Sequence, residues 1–102
     1  PEVDSLDKFE WTPLMWAVKK DYYEIIKLLV EYKADIKHKD DEGTPIIQYA
    51  VENESVDVVK FLIDKGIDIN VTDQYGLSPL VYALKTKNKE IVNLIRSAGG
   101  EY

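Results

Sequence analysis

The sequence contains no cysteine, and it has a single histidine and a single methionine in 102 residues. The lack of cysteine excludes disulfides, thiolate nucleophiles and cysteine-ligated metal sites. The histidine, His38, lies in the polar segment "KHKD". We interpret it as a solvent-exposed loop residue, because a general base or metal ligand needs converging partners. The acidic run 40–42 lacks the alternating spacing of a calcium loop, and no glycine-rich phosphate-binding motif is present. We therefore predict no catalytic residue, no metal site and no cofactor.

Long apolar runs and a surplus of basic residues are also absent. No apolar stretch approaches the roughly 18 residues that a membrane span requires, and the opening segment "PEVDSLDKFE" lacks the apolar core of a signal peptide. The net charge is −6, with nine acids against two lysines in 40–73, whereas binding to a phosphate backbone needs excess lysine and arginine. We expect no nucleic acid and no membrane as partners, and an intracellular location in the cytoplasm or nucleus.

An internal repeat is the main feature that the sequence does contain. A six-residue pattern occurs as "TPLMWA" at 12–17, as "PIIQYA" at 45–50 and as "SPLVYA" at 78–83. The period is 33 residues without insertion. Residues separated by this period form a column of the repeat, and the columns of Leu14 and Ala17 keep their apolar or small character in every copy. This spacing predicts three copies of one supersecondary unit, each unable to bury its apolar face alone.

Each unit predicts two helices. Thr12 and Ser78 are typical N-caps, because a side-chain oxygen can accept from an unpaired N–H of the first turn. The segments "YEIIKLLVEY", "VDVVKFLIDK" and "KEIVNLIRSA" place apolar residues on one face of a second helix. Gly66 and Gly99 suit the C-terminal ends of two of these helices.

The middle unit departs from this frame. Its "TP" pair is Thr44-Pro45, one place early relative to the frame set by Gly43 and Ala50. We therefore predict that its first helix starts one residue sooner than its neighbours and that the turn before it is shorter.

These residues resemble the ankyrin repeat. The resemblance rests on an aspartate that opens each unit (Asp7, Asp40, Asp73), and on "TPLMWA" and "SPLVYA" in place of the family's T-P-L-H-x-A. It implies an all-α repeat fold, a solenoid of stacked helix-turn-helix units joined by β-hairpin-like turns near 34–44 and 67–77. It also implies one domain over 1–102, made of a hairpin remnant at 1–6 and repeats at 7–39, 40–72 and 73–102, the last cap-like.

Two columns depart from the family's pattern. The family's histidine after leucine is replaced by Met15, Gln48 and Val81, so we expect its polar network between repeats to be largely absent. The glycine between the two helices of a unit is also replaced in all three repeats, by Asp21, Glu54 and Lys87. Each of these replacements costs stability if the turn requires a positive φ.

The two ends of the array predict different surfaces. Residues 1–6 align with the tail of a preceding repeat, whereas Arg96 stands in a column that is apolar in the other units, as in a capping repeat. We therefore expect the C-terminal three repeats of a longer array. Met15, Trp16 and Tyr22 would lie near an open N-terminal edge, which predicts weak self-association or a gain in stability when upstream repeats are present.

Partners of ankyrin arrays usually bind the hairpin tips and the concave face of the first helices, and the resemblance implies the same surface here. The candidate partner-binding residues are Lys8, Phe9, Trp11, Trp16, Lys19, Lys20, Asp41, Glu42, Thr44, Tyr49, Glu52, Asn53, Gln74, Tyr75, Leu77, Tyr82, Lys85 and Thr86. We expect the tip aromatics Phe9, Trp11 and Tyr75 to be exposed. They either anchor a partner or pack on adjacent hairpins.

Two columns within this set carry further expectations. Trp16, Tyr49 and Tyr82 recur at the repeat period and should lie side by side, either stacked on each other or presented as a contact strip. The charges in the next column alternate in sign, which predicts internal salt bridges among Lys19, Glu52 and Lys85.

Two functions remain open at this point. One is a protein-binding module, an adaptor or scaffold within a larger ankyrin protein. The other is a small stand-alone inhibitor that blocks the active or assembly site of a partner. In both cases the partner is another protein.

Overall fold

The computed structural model describes residues 11–100, so Lys8, Phe9 and the remnant at 1–6 lie outside the described residues. The described part contains six helices: α1 (Pro13–Lys20), α2 (Tyr23–Glu31), α3 (Ile46–Glu52), α4 (Val56–Asp64), α5 (Pro79–Thr86) and α6 (Lys89–Ser97). Helices α1, α3 and α5 pack side by side in one layer, and α2, α4 and α6 form the second. This arrangement confirms the predicted all-α repeat solenoid. None of the helices within 11–100 is long and apolar enough to span a membrane.

The core lies between the two layers and repeats with the sequence period. The column of Leu14 is buried in all three units, and so is the column of Ala17, whose small side chain permits close helix approach. The second helices contribute Ile26, Val59 and Leu62 to the same core. Each unit alone would leave one side of these helices in water, so the neighbouring unit completes the burial.

The helix ends agree with the predicted caps in part. The hydroxyl of Thr12 accepts from the Met15 amide at 3.2 Å, as expected of an N-cap. Ser78 occupies the same position before α5, but its side chain makes no capping hydrogen bond. Gly66 and Gly99 follow α4 and α6 with positive φ, which is the C-terminal role expected of them.

The prediction for the middle repeat was wrong. Helix α3 begins at Ile46, in the same column as Pro13 and Pro79, so it starts no sooner than its neighbours. The reason is that Thr44 is held in the turn: its carbonyl accepts from the Asp40 amide at 3.2 Å. The corresponding bond in the next unit joins Asp73 and Leu77, so the two turns have the same length. Pro45 therefore takes the N-cap position without a side-chain cap.

The turns between the paired helices adopt the left-handed conformation that glycine would favour. Asp21, Glu54 and Lys87 have φ of 62°, 55° and 62°, and Lys33 after α2 has φ of 67°. A side chain in this region costs roughly 1–2 kcal/mol relative to the right-handed region. The predicted loss of turn stability thus has a defined conformational origin at Asp21, Glu54 and Lys87, and Lys33 adds a fourth strained position.

Met15 does not lie at an open edge, contrary to expectation. It is fully buried in the core, because its position points inward, as it does in the next repeat, where Gln48 is also buried. Trp16 and Tyr22 are exposed, as expected for residues near that edge.

Candidate functional site

The hairpin tips of the second and third repeats are tied to the first helices by the aspartate that opens each repeat. One carboxylate oxygen of Asp40 accepts from the amides of Glu42 and Thr44, both at 2.9 Å. The other oxygen accepts from the hydroxyl of Tyr49 at 2.5 Å. Because Asp40 sits in the hairpin and Tyr49 in α3, this group of bonds fixes the tip on the helix.

The third repeat builds the same arrangement. Asp73 accepts from the amides of Tyr75 at 2.9 Å and Leu77 at 3.0 Å, and its second oxygen accepts from the hydroxyl of Tyr82. An aspartate followed nine residues later by a tyrosine, in two units, was the sequence signal that could have revealed this pairing. We call each set an Asp–Tyr lock: Asp40 with Tyr49, and Asp73 with Tyr82.

The locks shift the protonation equilibria of both partners. Burial alone would raise the pKa of Asp40, but the hydrogen bonds that it accepts, foremost that from Tyr49, outweigh burial and hold the pKa below 3.8. Burial and the hydrogen bond to Asp73 raise the pKa of Tyr82 to about 12. Burial and the bond to Asp40 also raise the pKa of Tyr49. The aspartates are therefore ionised and the tyrosines neutral at physiological pH.

Trp11 joins the first two repeats. Its indole Nε1 donates to the Asp40 carboxylate at 3.1 Å, and the side chain is half-buried rather than exposed as predicted. Its rings contact two of the three members of the aromatic column, with centroid distances of 4.6 Å to Trp16 and 5.1 Å to Tyr49. Trp11 thus packs on the adjacent repeat and bridges Trp16 and Tyr49.

Six of the predicted residues come together around one open groove of about 350 Å³. It is lined by Trp11, Trp16, Lys19, Lys20, Asp41 and Glu42. We call it the aromatic groove. Two indoles supply apolar area, while the two lysines and the two acids offer charges of both signs. Trp16 is 41% exposed, so a ligand in the groove could still cover much of its ring.

The predicted salt bridges were wrong. Lys19, Glu52 and Lys85 do not pair with one another in the described part of the chain, whereas Glu24 and Lys27 form an ion pair. Both lysines instead lie over tyrosine rings: Lys19 Nζ is 5.3 Å from the Tyr49 centroid and Lys85 Nζ is 5.2 Å from that of Tyr82. A cation over an aromatic face is attracted by the ring quadrupole. Glu52 accepts a hydrogen bond from Gln48 on its own helix.

Several other predicted site residues serve the fold. The side chain of Asn53 donates to the carbonyls of Val18 and Lys19, at 2.9 and 3.1 Å, and so links two repeats. The hydroxyl of Thr86 donates to the Ala83 carbonyl, and Thr44 and Leu77 donate their amides to the lock aspartates. Polar contacts between repeats do exist, but asparagine, serine and tryptophan supply them in the absence of the family histidine.

Two predicted tip residues of the third repeat are accessible, as Asp41 and Glu42 are in the second. Gln74 is exposed and Tyr75 is 74% exposed, as expected for a hairpin tip. Within 11–100 no three side chains of histidine, cysteine, aspartate or glutamate are grouped so that they could hold a metal ion.

Comparison with known families agrees with this architecture. A family model for ankyrin repeats, in three copies, matches residues 1–73 and again 35–102, so its matches together span the whole chain. No curated protein matches the sequence significantly. The family match and the three stacked helix pairs lead to the same result: this chain belongs to the ankyrin-repeat family.

Proposed function

We propose that this chain is an adaptor or scaffold module that binds another protein through the aromatic groove and the neighbouring hairpin tips. Ankyrin repeats generally act as protein–protein interaction modules, and the family is typically non-enzymatic. The observation that carries the proposal is the partial exposure of Trp16 beside Trp11 in a groove with charged residues. A tryptophan that a partner can cover is a common binding anchor. We infer that the chain is not an enzyme.

The charges around the groove favour a particular class of partner. Asp41 and Glu42 are exposed at its rim, and the segment 40–73 carries nine acids against two lysines. We propose that the partner inserts an apolar side chain against Trp16 and places a basic residue next to Asp41 and Glu42. Opposite charges at a rim act mainly on association rate and specificity.

Tyr75 extends this surface onto the next hairpin. Its side chain is largely exposed at the tip of the third repeat, while its backbone is held by Asp73. An aromatic side chain on a rigid turn loses little conformational freedom when it is covered. We propose Tyr75 as a second contact for a partner long enough to reach both tips.

We further propose that the module forms the C-terminal part of a longer ankyrin array and works in the cytoplasm or nucleus. The outermost helix α6 carries Arg96 and Asn93 at positions exposed to water, which suits a terminal unit.

A selection from a displayed library of random peptides tests the groove as the binding surface. The parent protein should select peptides that combine an aromatic or large aliphatic residue with nearby lysine or arginine. The double reversal Asp41→Lys and Glu42→Lys should abolish the basic preference and keep the apolar one. The matched control is Asp64→Lys with Asp57→Lys, which changes the net charge by the same amount at two exposed positions of α4. Peptides without basic residues, or an unchanged preference in the groove variant, would contradict the proposal.

A further inference from the structure

The outward side of the first repeat carries an apolar surface on both of its helices. Pro13, Trp16, Tyr22, Ile25 and Leu29 line a shallow depression of about 420 Å³ there. We call these five residues the N-terminal face. Trp16 also borders the aromatic groove, but the other four residues do not line it.

The same columns are interfaces in the other two repeats. Ile25 is 48% exposed, whereas Val58 and Ile91, which occupy its column, are 1% and 0% exposed. Leu29 is half-buried, and its counterparts Leu62 and Ile95 are fully buried. The difference arises because α4 packs against α2 and α6 packs against α4. The N-terminal face is therefore the same type of surface as the two interfaces that hold the three repeats together.

Polar groups at the edge of these interfaces recur as well. Ser55 donates its hydroxyl to the Asp21 carboxylate at 2.5 Å, and Asn88 donates its amide to the Glu54 carboxylate at 3.4 Å. In both cases the donor belongs to one repeat and the acid stands in the inter-helix turn of the repeat before it. Tyr22 holds the column of these donors in the first repeat, and it is exposed.

A second donor links the first two repeats only, because its column holds Thr86 in the third repeat, whose hydroxyl donates to Ala83 of its own helix. Asn53 donates to the carbonyls of Val18 and Lys19, at the C-terminal end of α1 in the preceding repeat. The column of Asn53 holds Lys20 in the first repeat, and its side chain is exposed. The N-terminal face, with Lys20 beside it, thus combines the apolar residues of a stacking surface with a donor in the Tyr22 column, which is used at both interfaces, and one in the Lys20 column, which is used at the first.

A second copy of this chain fits the face poorly. Its outermost unit carries Lys87 in the inter-helix turn, where the first two repeats carry Asp21 and Glu54. Stacking in register would set Tyr22 opposite a lysine, which offers no acceptor. The same stacking would also bring Lys20 towards Lys85 at the end of α5, the counterpart of the Lys19 that Asn53 contacts, and two like charges at close range repel.

From this geometry we infer that the N-terminal face binds a further ankyrin repeat whose inter-helix turn carries an aspartate or glutamate. The acid accepts from Tyr22, the end of the first helix of that repeat accepts from Lys20, and its second helix covers Ile25. The inference deepens the proposal of a longer array and does not depend on binding at the aromatic groove.

An extended protein tests the inference with parts of the chain itself. A copy of 40–72, which carries Glu54 in its turn, is placed directly before Asp7 in place of 1–6. We expect the extended protein to melt at a higher temperature than the parent. We also expect Ile25→Ala to lower its melting temperature by about 8 °C or more, as for a buried side chain, against less than about 3 °C in the parent. An equal effect of Ile25→Ala in the two proteins would overturn the inference.

The acid is tested by a matched extension in which the Glu54 of the added copy is changed to lysine, as in the third repeat. This protein should melt below the acidic extension, and equal melting temperatures would refute the role of the acid. If either extension fails to fold, the parent still gives a readout with the dye ANS, which binds exposed apolar surface. Ile25→Lys should reduce ANS fluorescence of the parent by about half or more, and unchanged fluorescence would overturn the inference. Peptide selection at the groove is measured on the unextended protein, so failure there is distinguishable from failure here.

Discussion

The indole nitrogen of Trp11 lies 3.1 Å from the carboxylate of Asp40 and connects the first repeat to the second. The same carboxylate accepts from Tyr49 and from two backbone amides. Asp40 is buried, so loss of one donor leaves its charge less well compensated. Trp11 therefore stabilises the contact between repeats, whatever it adds to binding.

We predict that Trp11→Phe destabilises the protein by about 1.5–3 kcal/mol, the usual range for a hydrogen bond to a charged group. The phenyl ring preserves part of the contact with Trp16 and removes the donor to Asp40. Urea unfolding measures the change. The control is Tyr75→Phe, which alters an exposed ring and should change stability by less than about 0.5 kcal/mol. A Trp11→Phe variant as stable as the control would show that the bond contributes nothing.

The Asp–Tyr locks predict the pH dependence of stability. The pKa of Asp40 is lowered by folding, so its contribution is present above the unfolded pKa of about 3.9 and is lost as the pH falls through the lower folded value. The pKa of Tyr82 is raised to about 12, so its contribution is present below pH 10 and is lost between about pH 10 and 12. Tyr82→Phe should flatten the loss of stability on the alkaline side. Urea midpoints measured from pH 9 to pH 11 (about one unit either side of the tyrosine reference value) check this, and identical slopes for parent and variant would contradict it.

Glycine at the left-handed turn positions should stabilise the chain. Lys33 and Lys87 have φ of 67° and 62°, and glycine relieves the strain at the cost of greater freedom in the unfolded chain. We predict a net gain of about 0.5–1 kcal/mol for Lys87→Gly and a similar gain for Lys33→Gly. Asp21→Gly is the informative comparison, because it also removes the acceptor of Ser55. Chemical denaturation should show a smaller gain in stability for Asp21→Gly than for Lys87→Gly. A loss of stability in Lys87→Gly would contradict the prediction.

One side-chain hydrogen bond joins the second and third repeats. The first and second repeats lack it, because the equivalent position in the first repeat is not asparagine. Asn70 donates its side-chain amide to the Gly99 carbonyl at 3.1 Å, and Lys37 holds the column of Asn70 beside a cavity of about 360 Å³ that Gly66 also lines. The two turns match, since the amides of Lys37 and Asn70 each donate to the carboxylate of the aspartate two residues earlier, Asp35 and Asp68. Lys37→Asn should therefore stabilise the protein by about 0.5 kcal/mol. Lys37→Ala removes the same charge without the amide, and equal stability of the two variants would argue against a new bond.

The sequence period predicted the helices and the core because each apolar column follows from helix geometry. Leu14 and Ala17 are buried in every copy for this reason. The locks could not be predicted from the helical pattern, because Asp40 and Tyr49 meet across a turn whose path depends on the backbone bonds of Thr44. The same backbone bonds hold Thr44 in the turn, which is why α3 starts at Ile46 and not one residue sooner.

The sequence predicted which residues lie at the candidate site, but it did not predict how exposed they are or what they contact. Trp11 was expected at the surface, yet a bond to the next repeat draws it inward. Lys19 was expected to pair with Glu52, yet it lies over the ring of Tyr49. Both outcomes depend on side-chain choices between adjacent repeats, which the repeat period alone does not specify.

The affinity of Trp16→Ala for a peptide selected by the parent tests whether the aromatic groove is the binding surface. Binding should be at least about 30-fold weaker, which corresponds to about 2 kcal/mol for loss of a central aromatic anchor. Ile25→Ala is the matched control, since Ile25 lies on the N-terminal face with Trp16 but does not line the aromatic groove. It should bind as the parent does. A folded Trp16→Ala variant with the affinity of the parent would contradict the assignment of the aromatic groove as the binding surface.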